Sequence, residues 1–184
     1  VWTPLTARLV AAGRRVIRYD LYGRGESTFR GGPLTSEALA RQALAIMDHL
    51  QVEAADVFTL SNADMIAMAL TLEAPTRVRR VTMVAPSGHD ARTMNARTRL
   101  LCRTPLVASL FGASLRTTLA TRMLAHATPL PEGTPEATRA IYTHAAQTVR
   151  DNPTFANAAA SQLGHMPSRR GLITLTRAFA ATGT

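Results

Sequence analysis

The chain has 184 residues, of which 46% are hydrophobic and 18% are charged, and its formal net charge is +9. This length and composition are typical of one globular domain with a sizeable core, and they exclude an intrinsically disordered protein. No apolar run reaches the roughly 18 residues that a transmembrane helix needs, so we expect no membrane span.

The positive charge comes from arginine, since all 21 basic residues are arginine and none is lysine. The excess over acidic residues lies mainly in the second half of the chain, where it forms no arginine-rich run with interleaved aromatic residues. This distribution disfavours nucleic acid as a partner. The single cysteine, Cys102, excludes an internal disulfide and a cysteine-based metal site. We therefore expect a cytoplasmic protein without a bound metal.

Residues 1–88 alternate between helix-like and strand-like segments. Apolar spacing predicts a helix over residues 4–12, with Leu5, Leu9 and Ala12 on one face, and the following RVIRYD predicts a short strand from Arg15 to Asp20. The glycine-bearing loop LYGRGESTFRGGP comes next.

A second helix is predicted after this loop, with Thr35 as its N-cap and Glu37 in its first turn. Its apolar residues recur at helical spacing: Leu39, Ala43, Ile46, Met47 and Leu50. Two more strands, Ala55 to Leu60 and RRVTMVAPSG, flank a helix that must end near Pro75. Helices between strands make crossover connections, so we expect a parallel sheet covered by helices on both faces.

After Gly88 the strand signals vanish, and four helix-like segments follow. They cover residues 91–105, 105–125, 134–152 and 152–163, and the third starts with Thr134 as a cap and Pro135 in the first helical position. A helical block at this point in the chain is expected to cap one edge of the sheet. We divide the chain into a core over residues 1–88, a helical cap over 89–166 and a return helix over 167–184.

The stretch VFTLSNADMIAMAL, Val57 to Leu70, stops a strand-like run at one serine and begins a helical pattern directly after it. In open parallel sheets, ligands bind beyond the carboxyl ends of the strands, where Ser61 stands. A nucleophile held there on a tight turn is exposed, and the backbone N–H of Asn62 can face a developing oxyanion. The alternative is that Ser61 is an N-cap without any chemical role.

Several segments, taken in order, resemble the α/β-hydrolase fold family. RVIRYDLYGRGES is similar to the strand and loop of that family in which an aspartate precedes Gly-x-Gly-x-Ser, and LSNADMIAMALTLEAPTRVRRVTMVAPSG is similar to its nucleophile elbow, helix and next strand. The resemblance implies a partial doubly wound, mostly parallel sheet with a helical cap insertion. It also implies a serine hydrolase, with Ser61 as nucleophile and the Asn62 N–H as oxyanion donor, that needs no cofactor and cleaves an ester, amide or similar acyl bond in a small organic substrate.

The elbow departs from the family's Gly-x-Ser-x-Gly pattern, because Thr59 and Ala63 stand at the glycine positions. Thr59 adds bulk where strand and helix approach closely, and a β-branched residue strongly prefers negative φ. Asp64 replaces another small residue, and its carboxylate either complements the helix dipole or repels an oxyanion. These departures support an alternative reading, a non-catalytic binding protein of the same fold.

A serine nucleophile needs a histidine base and an orienting acid. The resemblance places both after the cap, so we expect them outside this chain, which would then be an internal fragment of a longer hydrolase. Four histidines follow Ser61, and we predict surface or capping roles for them: His89, His126, His144 and His165. His89 and Asp90 follow the third predicted strand and would border the pocket if one of them took part.

Overall fold

The computed structural model describes residues 2–86, 100, 103, 121, 136–152, 154–166 and 169–183. The helices are α1 (Thr3–Ala11), α2 (Ser36–His49), α3 (Asp64–Glu73), α4 (Glu136–Asp151), α5 (Phe155–His165) and α6 (Arg169–Ala180). The strands are β1 (Ala55–Leu60) and β2 (Val78–Val84), and short 3-10 turns at Ser61–Ala63 and Pro75–Arg77 flank α3.

The two strands pair in parallel, as the sequence predicts. The register places Val57 opposite Val81 and Leu60 opposite Val84. Helix α3 makes the crossover between the strands, and it ends just before Pro75, which cannot continue a helix. The carboxyl ends of both strands therefore meet at one edge of the sheet, which we call the carboxyl edge.

Helix α2 begins where its capping signal predicts. The Thr35 hydroxyl oxygen accepts the Ala38 N–H at 3.1 Å, which satisfies one of the free donors of the first turn. Much of the predicted apolar stripe is buried, including Leu39 and Ala43, whereas Ile46 is half-buried. Burial of this stripe fixes which face of α2 meets the sheet.

The predicted strand from Arg15 to Asp20 is wrong. A β-strand requires a neighbouring strand that hydrogen-bonds to its N–H and C=O groups. The backbone of this segment forms no such ladder with the described residues. The end of this segment instead contacts α2. The buried side chain of Gln42 donates to the Asp20 carbonyl at 3.1 Å and accepts the Tyr22 N–H at 3.2 Å.

Helices α2 and α3 pack side by side on one face of the sheet. The core between them and the strands contains Leu34, Leu39, Ala40, Ala43, Ile66, Ala69, Leu70, Val78 and Ala158. On the other face Phe58 is 42% exposed and Val84 is 44% exposed. In the described part of the chain, the expected cover of helices is thus observed on one face of the sheet, and α1 buries none of its residues.

The second half contributes α4, α5 and α6. Helix α5 matches the predicted segment 152–163 with a later start and a later end, and α4 falls within 134–152. Of the predicted helices at 91–105 and 105–125 the structure describes residues 100, 103 and 121, and the Thr134 cap and Pro135 lie outside the described residues. Helix α6 packs against α3, where Leu172 is buried with Met65 and Met68. Within the described ranges, no helix combines the length and the apolar character required to cross a bilayer.

Candidate active site

Ser61 lies at the carboxyl edge, directly after the last residue of β1. Leu60 is fully extended, with φ −131° and ψ 132°, whereas Ser61 has a φ of +56°. The backbone thus reverses at one residue and leads through a 3-10 turn into α3. The left-handed region costs a residue other than glycine about 1–2 kcal/mol, and such conformations cluster at functional turns.

The Ser61 side chain is exposed and does not cap the following helix. No side-chain cap hydrogen bond is present at the start of the 3-10 turn or of α3, where Leu60 and Ala63 occupy the capping positions. None of the described residues hydrogen-bonds to the Ser61 hydroxyl. In this part of the chain the geometry therefore disagrees with the N-cap alternative and leaves the hydroxyl accessible at the turn.

Thr59 fits into the strand without adopting the strained conformation. The positive φ falls on Ser61, while Thr59 keeps strand geometry and pairs with Met83 of β2. Thr59 is only 7% exposed, and its buried hydroxyl oxygen has no hydrogen-bond partner among the described residues. Threonine at this position therefore costs free energy through the desolvation of its hydroxyl group and not through backbone strain. Ala63, at the second glycine position, packs against the core cluster.

Asp64 is the first residue of α3, and only 1% of it is exposed. One carboxylate oxygen accepts the Met65 N–H at 2.7 Å, within the first helical turn. A carboxylate at this end complements the helix dipole. Asn62 is exposed, and its backbone N–H belongs to the helix start, where the first N–H groups have no partner within the helix. The buried Asp64 carboxylate therefore satisfies one N–H of the helix start, directly after the Ser61 turn.

The Gly-x-Gly-x-Ser loop is a closed structural unit. The Asp20 carboxylate accepts the Glu26 N–H at 3.1 Å, and the Ser27 hydroxyl donates to the Asp20 carbonyl at 2.8 Å. Gly25 has a φ of +49°, and a Cβ there would collide with the Asp20 carboxylate. The polar groups of Asp20 and Ser27 therefore hold the loop together.

Helix α5 packs against this loop. A Cβ at Gly23 would collide with the Cβ of Ala158, so the glycine permits close contact between loop and helix. The Arg24 guanidinium donates to the Gln162 amide oxygen at 2.8 Å and stacks 4.5 Å from the centroid of the Phe155 ring. Burial lowers the pKa of Arg24 below its usual range, because desolvation disfavours the charged form.

The corner between α4 and α5 is bound to the same loop by Asn152, which is buried. Its amide nitrogen donates to the Gly25 carbonyl at 2.7 Å and to the Ser27 carbonyl at 3.2 Å. Its amide oxygen accepts the N–H and the hydroxyl of Thr154, both at 2.8 Å. Every hydrogen-bonding group of this side chain is therefore used, two of them across the interface.

Ser161 makes a third connection near the end of the loop. Its hydroxyl donates to the Gly32 carbonyl at 2.7 Å and accepts the Leu34 N–H at 2.9 Å. The Ser161 carbonyl in turn accepts a hydrogen bond from Nδ1 of His165 at 2.7 Å. The loop leads into the first residues of α2, and the last residues of α2 come shortly before the amino end of β1. Because the start of α2 thus lies towards the carboxyl edge, these contacts place α5 beside the edge that carries Ser61.

The structure does not bring a histidine to the Ser61 hydroxyl within the described residues. His144 is exposed on α4, His165 ends α5, and His89, His126 and Asp90 lie outside the described part. Nor does the described part contain three or more His, Cys, Asp or Glu side chains grouped as for a metal ion.

A cavity of about 480 Å³ lies at the opposite edge of the sheet and is lined by residues that precede the strands, among them Asp48 and Arg77. Arg77 is occupied there by the Asp48 carboxylate at 2.6 Å and by the Glu53 carbonyl at 2.7 Å. This cavity is therefore separate from the Ser61 turn.

Comparison with known proteins identifies the family. The family model described as alpha/beta hydrolase fold matches residues 1–127. The chain belongs to this family. The expected resemblance and the expected fold class are thus confirmed, and the described residues contain a partial parallel sheet with helices.

Individual relatives of this α/β hydrolase match shorter stretches. Rhodomycin D methylesterase DnrP of Streptomyces peucetius is 42% identical over 86 residues, which cover 45% of this chain and 29% of the esterase. The putative carbamate hydrolase RutD of Azorhizobium caulinodans is 36% identical over 104 residues, or 54% of this chain and 39% of that protein. The putative carbamate hydrolase RutD of Variovorax paradoxus is 30% identical over 106 residues, which cover 54% of this chain and 40% of that protein. The chain thus spans less than half of the length of these relatives.

Among solved structures, an alpha/beta hydrolase fold protein from Nakamurella multipartita aligns with a TM-score of 0.43 and 22% identity. The alignment covers 96% of this chain and 62% of that one.

Sequence reasoning missed three polar residues that shape the site of this α/β hydrolase. Gln42, Asn152 and Ser161 are buried, and each binds main-chain groups of the loop over residues 20–34. For Gln42 a signal existed, since a polar residue next to the apolar stripe of α2 needs a partner. For Asn152 the Asn-Pro-Thr sequence signalled a turn. Nothing local distinguished Ser161.

Proposed function

We propose that this α/β hydrolase cleaves an acyl bond in a small organic molecule, with Ser61 as the nucleophile. The observation that carries the proposal is the left-handed backbone of Ser61, whose exposed hydroxyl follows a parallel strand and precedes a helix start. A residue other than glycine keeps such a conformation only where the surrounding structure enforces it. A strand-to-helix turn of this kind raises a serine oxygen above the sheet for attack.

The reaction follows from this placement. The Ser61 oxygen forms a bond to the carbonyl carbon, and the carbonyl oxygen becomes an anion that the Asn62 N–H and the helix start stabilise. The leaving group departs to give an acyl-enzyme, which water then hydrolyses. A base must take the serine proton. We propose that a histidine and its orienting acid at the family positions after the cap serve this purpose.

The substrate class is proposed from the relatives together with the site. Their names specify an ester in one case and carbamates in the other, and both groups contain a carbonyl that a serine attacks. The proposal therefore includes esters, carbamates and similar acyl compounds.

We also propose the division of the chain into a core over 1–88, a cap over 89–166 and a return helix over 167–184. The contacts of α5 with the loop over residues 20–34 support the assignment of a cap over the core. The packing of α6 against α3 supports the assignment of a return helix.

A fluorophosphonate probe tests the role of Ser61, because it phosphonylates activated serines. The tryptic peptide from Gln42 to Arg77 contains Ser61 as its one serine, so mass spectrometry locates the label without ambiguity. We expect native protein that includes the proposed histidine and acid to be labelled in this peptide, and neither its heat-denatured form nor its Ser61→Ala variant to react there. If such native protein stays unlabelled in this peptide, the proposal is overturned.

A second candidate function is ligand binding without turnover. The specific observation in its favour is Thr59, whose buried hydroxyl has no partner among the described residues and stands where the family has a glycine. It predicts an unlabelled Ser61 together with a rise in melting temperature on adding a small ester. The same labelling experiment therefore separates the two functions.

A further inference from the structure

The hydrogen bond made by the His165 ring defines which of its two nitrogens carries the proton in the neutral form. Its Nδ1 lies 2.7 Å from the Ser161 carbonyl oxygen. Because a carbonyl oxygen only accepts hydrogen bonds, Nδ1 must carry the proton, and in the neutral ring Nε2 is then an acceptor. None of the described residues hydrogen-bonds to Nε2, and the side chain is half-buried.

The position of His165 follows from the contacts of α5 and of the residue after it. Helix α5 is bound to the loop at the carboxyl edge through Ser161, one turn before His165. The next residue, Met166, packs against the cluster of Met65, Met68 and Leu172. Two members of this cluster lie in the first two turns of α3, directly after the Ser61 turn.

A second contact places the same cluster beside β1. Met83 of β2 also packs against it, and Met83 is the register partner of Thr59, two residues before Ser61. The end of α5 therefore lies on the face of the sheet that carries α3, at the edge where Ser61 follows β1.

We propose that His165 borders the cleft in front of Ser61 and determines substrate specificity there. Its Nε2 accepts a hydrogen bond from an N–H or O–H group that the substrate carries next to the scissile carbonyl. This inference rests on the proposed function and narrows its substrate class to acyl compounds with such a donor. A site built to bind a donor discriminates against an analogue without one, because the acceptor is then left unpaired.

The first experiment tests position and tautomer without any turnover. In protein carrying Cys102→Ser, the exchange Ser61→Cys allows a nitroxide label at the turn, and NMR of nitrogen-15 histidine follows each ring. We expect the His165 signals to be broadened and to show a protonated Nδ1. His49 is the control, because it ends the 14-residue α2 about 21 Å from the helix start. Equal broadening of both rings, or a protonated Nε2 in His165, would overturn the inference.

The second experiment tests specificity with two probes of the same shape, p-nitrophenyl carbamate and p-nitrophenyl acetate, which differ in NH₂ against CH₃. The rate of p-nitrophenolate release is measured within the first turnover, where it reports the acylation step alone, so slow hydrolysis of a carbamoyl-enzyme does not affect the readout. We expect His165→Phe to lower the carbamate-to-acetate rate ratio roughly three- to tenfold, the effect of one lost hydrogen bond. His165→Gln, which retains an acceptor, should restore part of the ratio.

The control variant is His144→Phe, on the exposed side of α4, which should leave the ratio unchanged. A wild-type protein whose Ser61 reacts with the fluorophosphonate, but whose ratio is unaffected by His165→Phe, would overturn this inference alone. A Ser61 that does not react would overturn the proposed function and the substrate class inferred from it.

Discussion

Replacing Thr59 with valine should stabilise the protein. The Thr59 side chain is 7% exposed, and its hydroxyl oxygen has no hydrogen-bond partner in the described structure. Folding therefore removes this group from water without compensation, at a cost of about 1–3 kcal/mol. Valine has nearly the same shape, suits a strand equally well and has no group to desolvate. We expect Thr59→Val to raise the free energy of unfolding by about 1–2 kcal/mol.

Thr71 offers a matched control in the neighbouring helix. It is also fully buried, but its hydroxyl donates to the Ala67 carbonyl at 2.9 Å. Thr71→Val removes this bond and leaves helix propensity almost unchanged. The free energy of unfolding should therefore fall by about 1 kcal/mol, opposite in sign to the change at Thr59.

Urea denaturation followed by circular dichroism at 222 nm measures both changes. The slope of the free energy against urea concentration must remain that of the parent protein, so that midpoints report stability. A Thr59→Val variant that is less stable than the parent by 1 kcal/mol or more would refute the reasoning, since the hydroxyl would then have a partner in solution.

Two further pairs of variants test how α5 is attached to the loop. Ser161→Ala leaves the buried Leu34 N–H unpaired and should lower the free energy of unfolding by about 1–3 kcal/mol, whereas Thr174→Ala removes an exposed bond within α6 and should change it by less than about 0.5 kcal/mol. Similar losses in the two variants would contradict the interface. Gly23→Ala and Gly13→Ala both place an alanine at positive φ and should each lose about 1 kcal/mol in thermal melts. Gly23→Ala should lose clearly more, because only its Cβ meets another side chain, and equal losses would argue against the close contact with α5.

The parts of the fold that depend on nearby residues could be predicted from the sequence. The Thr35 cap acts on an N–H three residues away, and the change from strand to helix at Ser61 is visible in the local apolar pattern. The crossover made by α3 then requires parallel strands. The position of Ser61 at the carboxyl edge follows from these local signals alone.

The parts that depend on distant residues could not be predicted. The segment from Arg15 to Asp20 has strand propensity, but a ladder needs a neighbouring strand, and propensity says nothing about the neighbour. The exposure of Phe58 likewise depends on where other elements pack. Asn152 binds Gly25 across 127 residues, a pairing that only the folded chain creates.

The acyl-enzyme is the most direct test of the central claim, that Ser61 is a nucleophile. Protein that includes the proposed histidine and acid, mixed with p-nitrophenyl acetate and quenched in acid within the first turnover, should release a burst of p-nitrophenolate. It should carry one acetyl group on the peptide from Gln42 to Arg77, at Ser61. A burst with the acetyl group on another residue, or no burst and no acetyl group at all, would contradict the account.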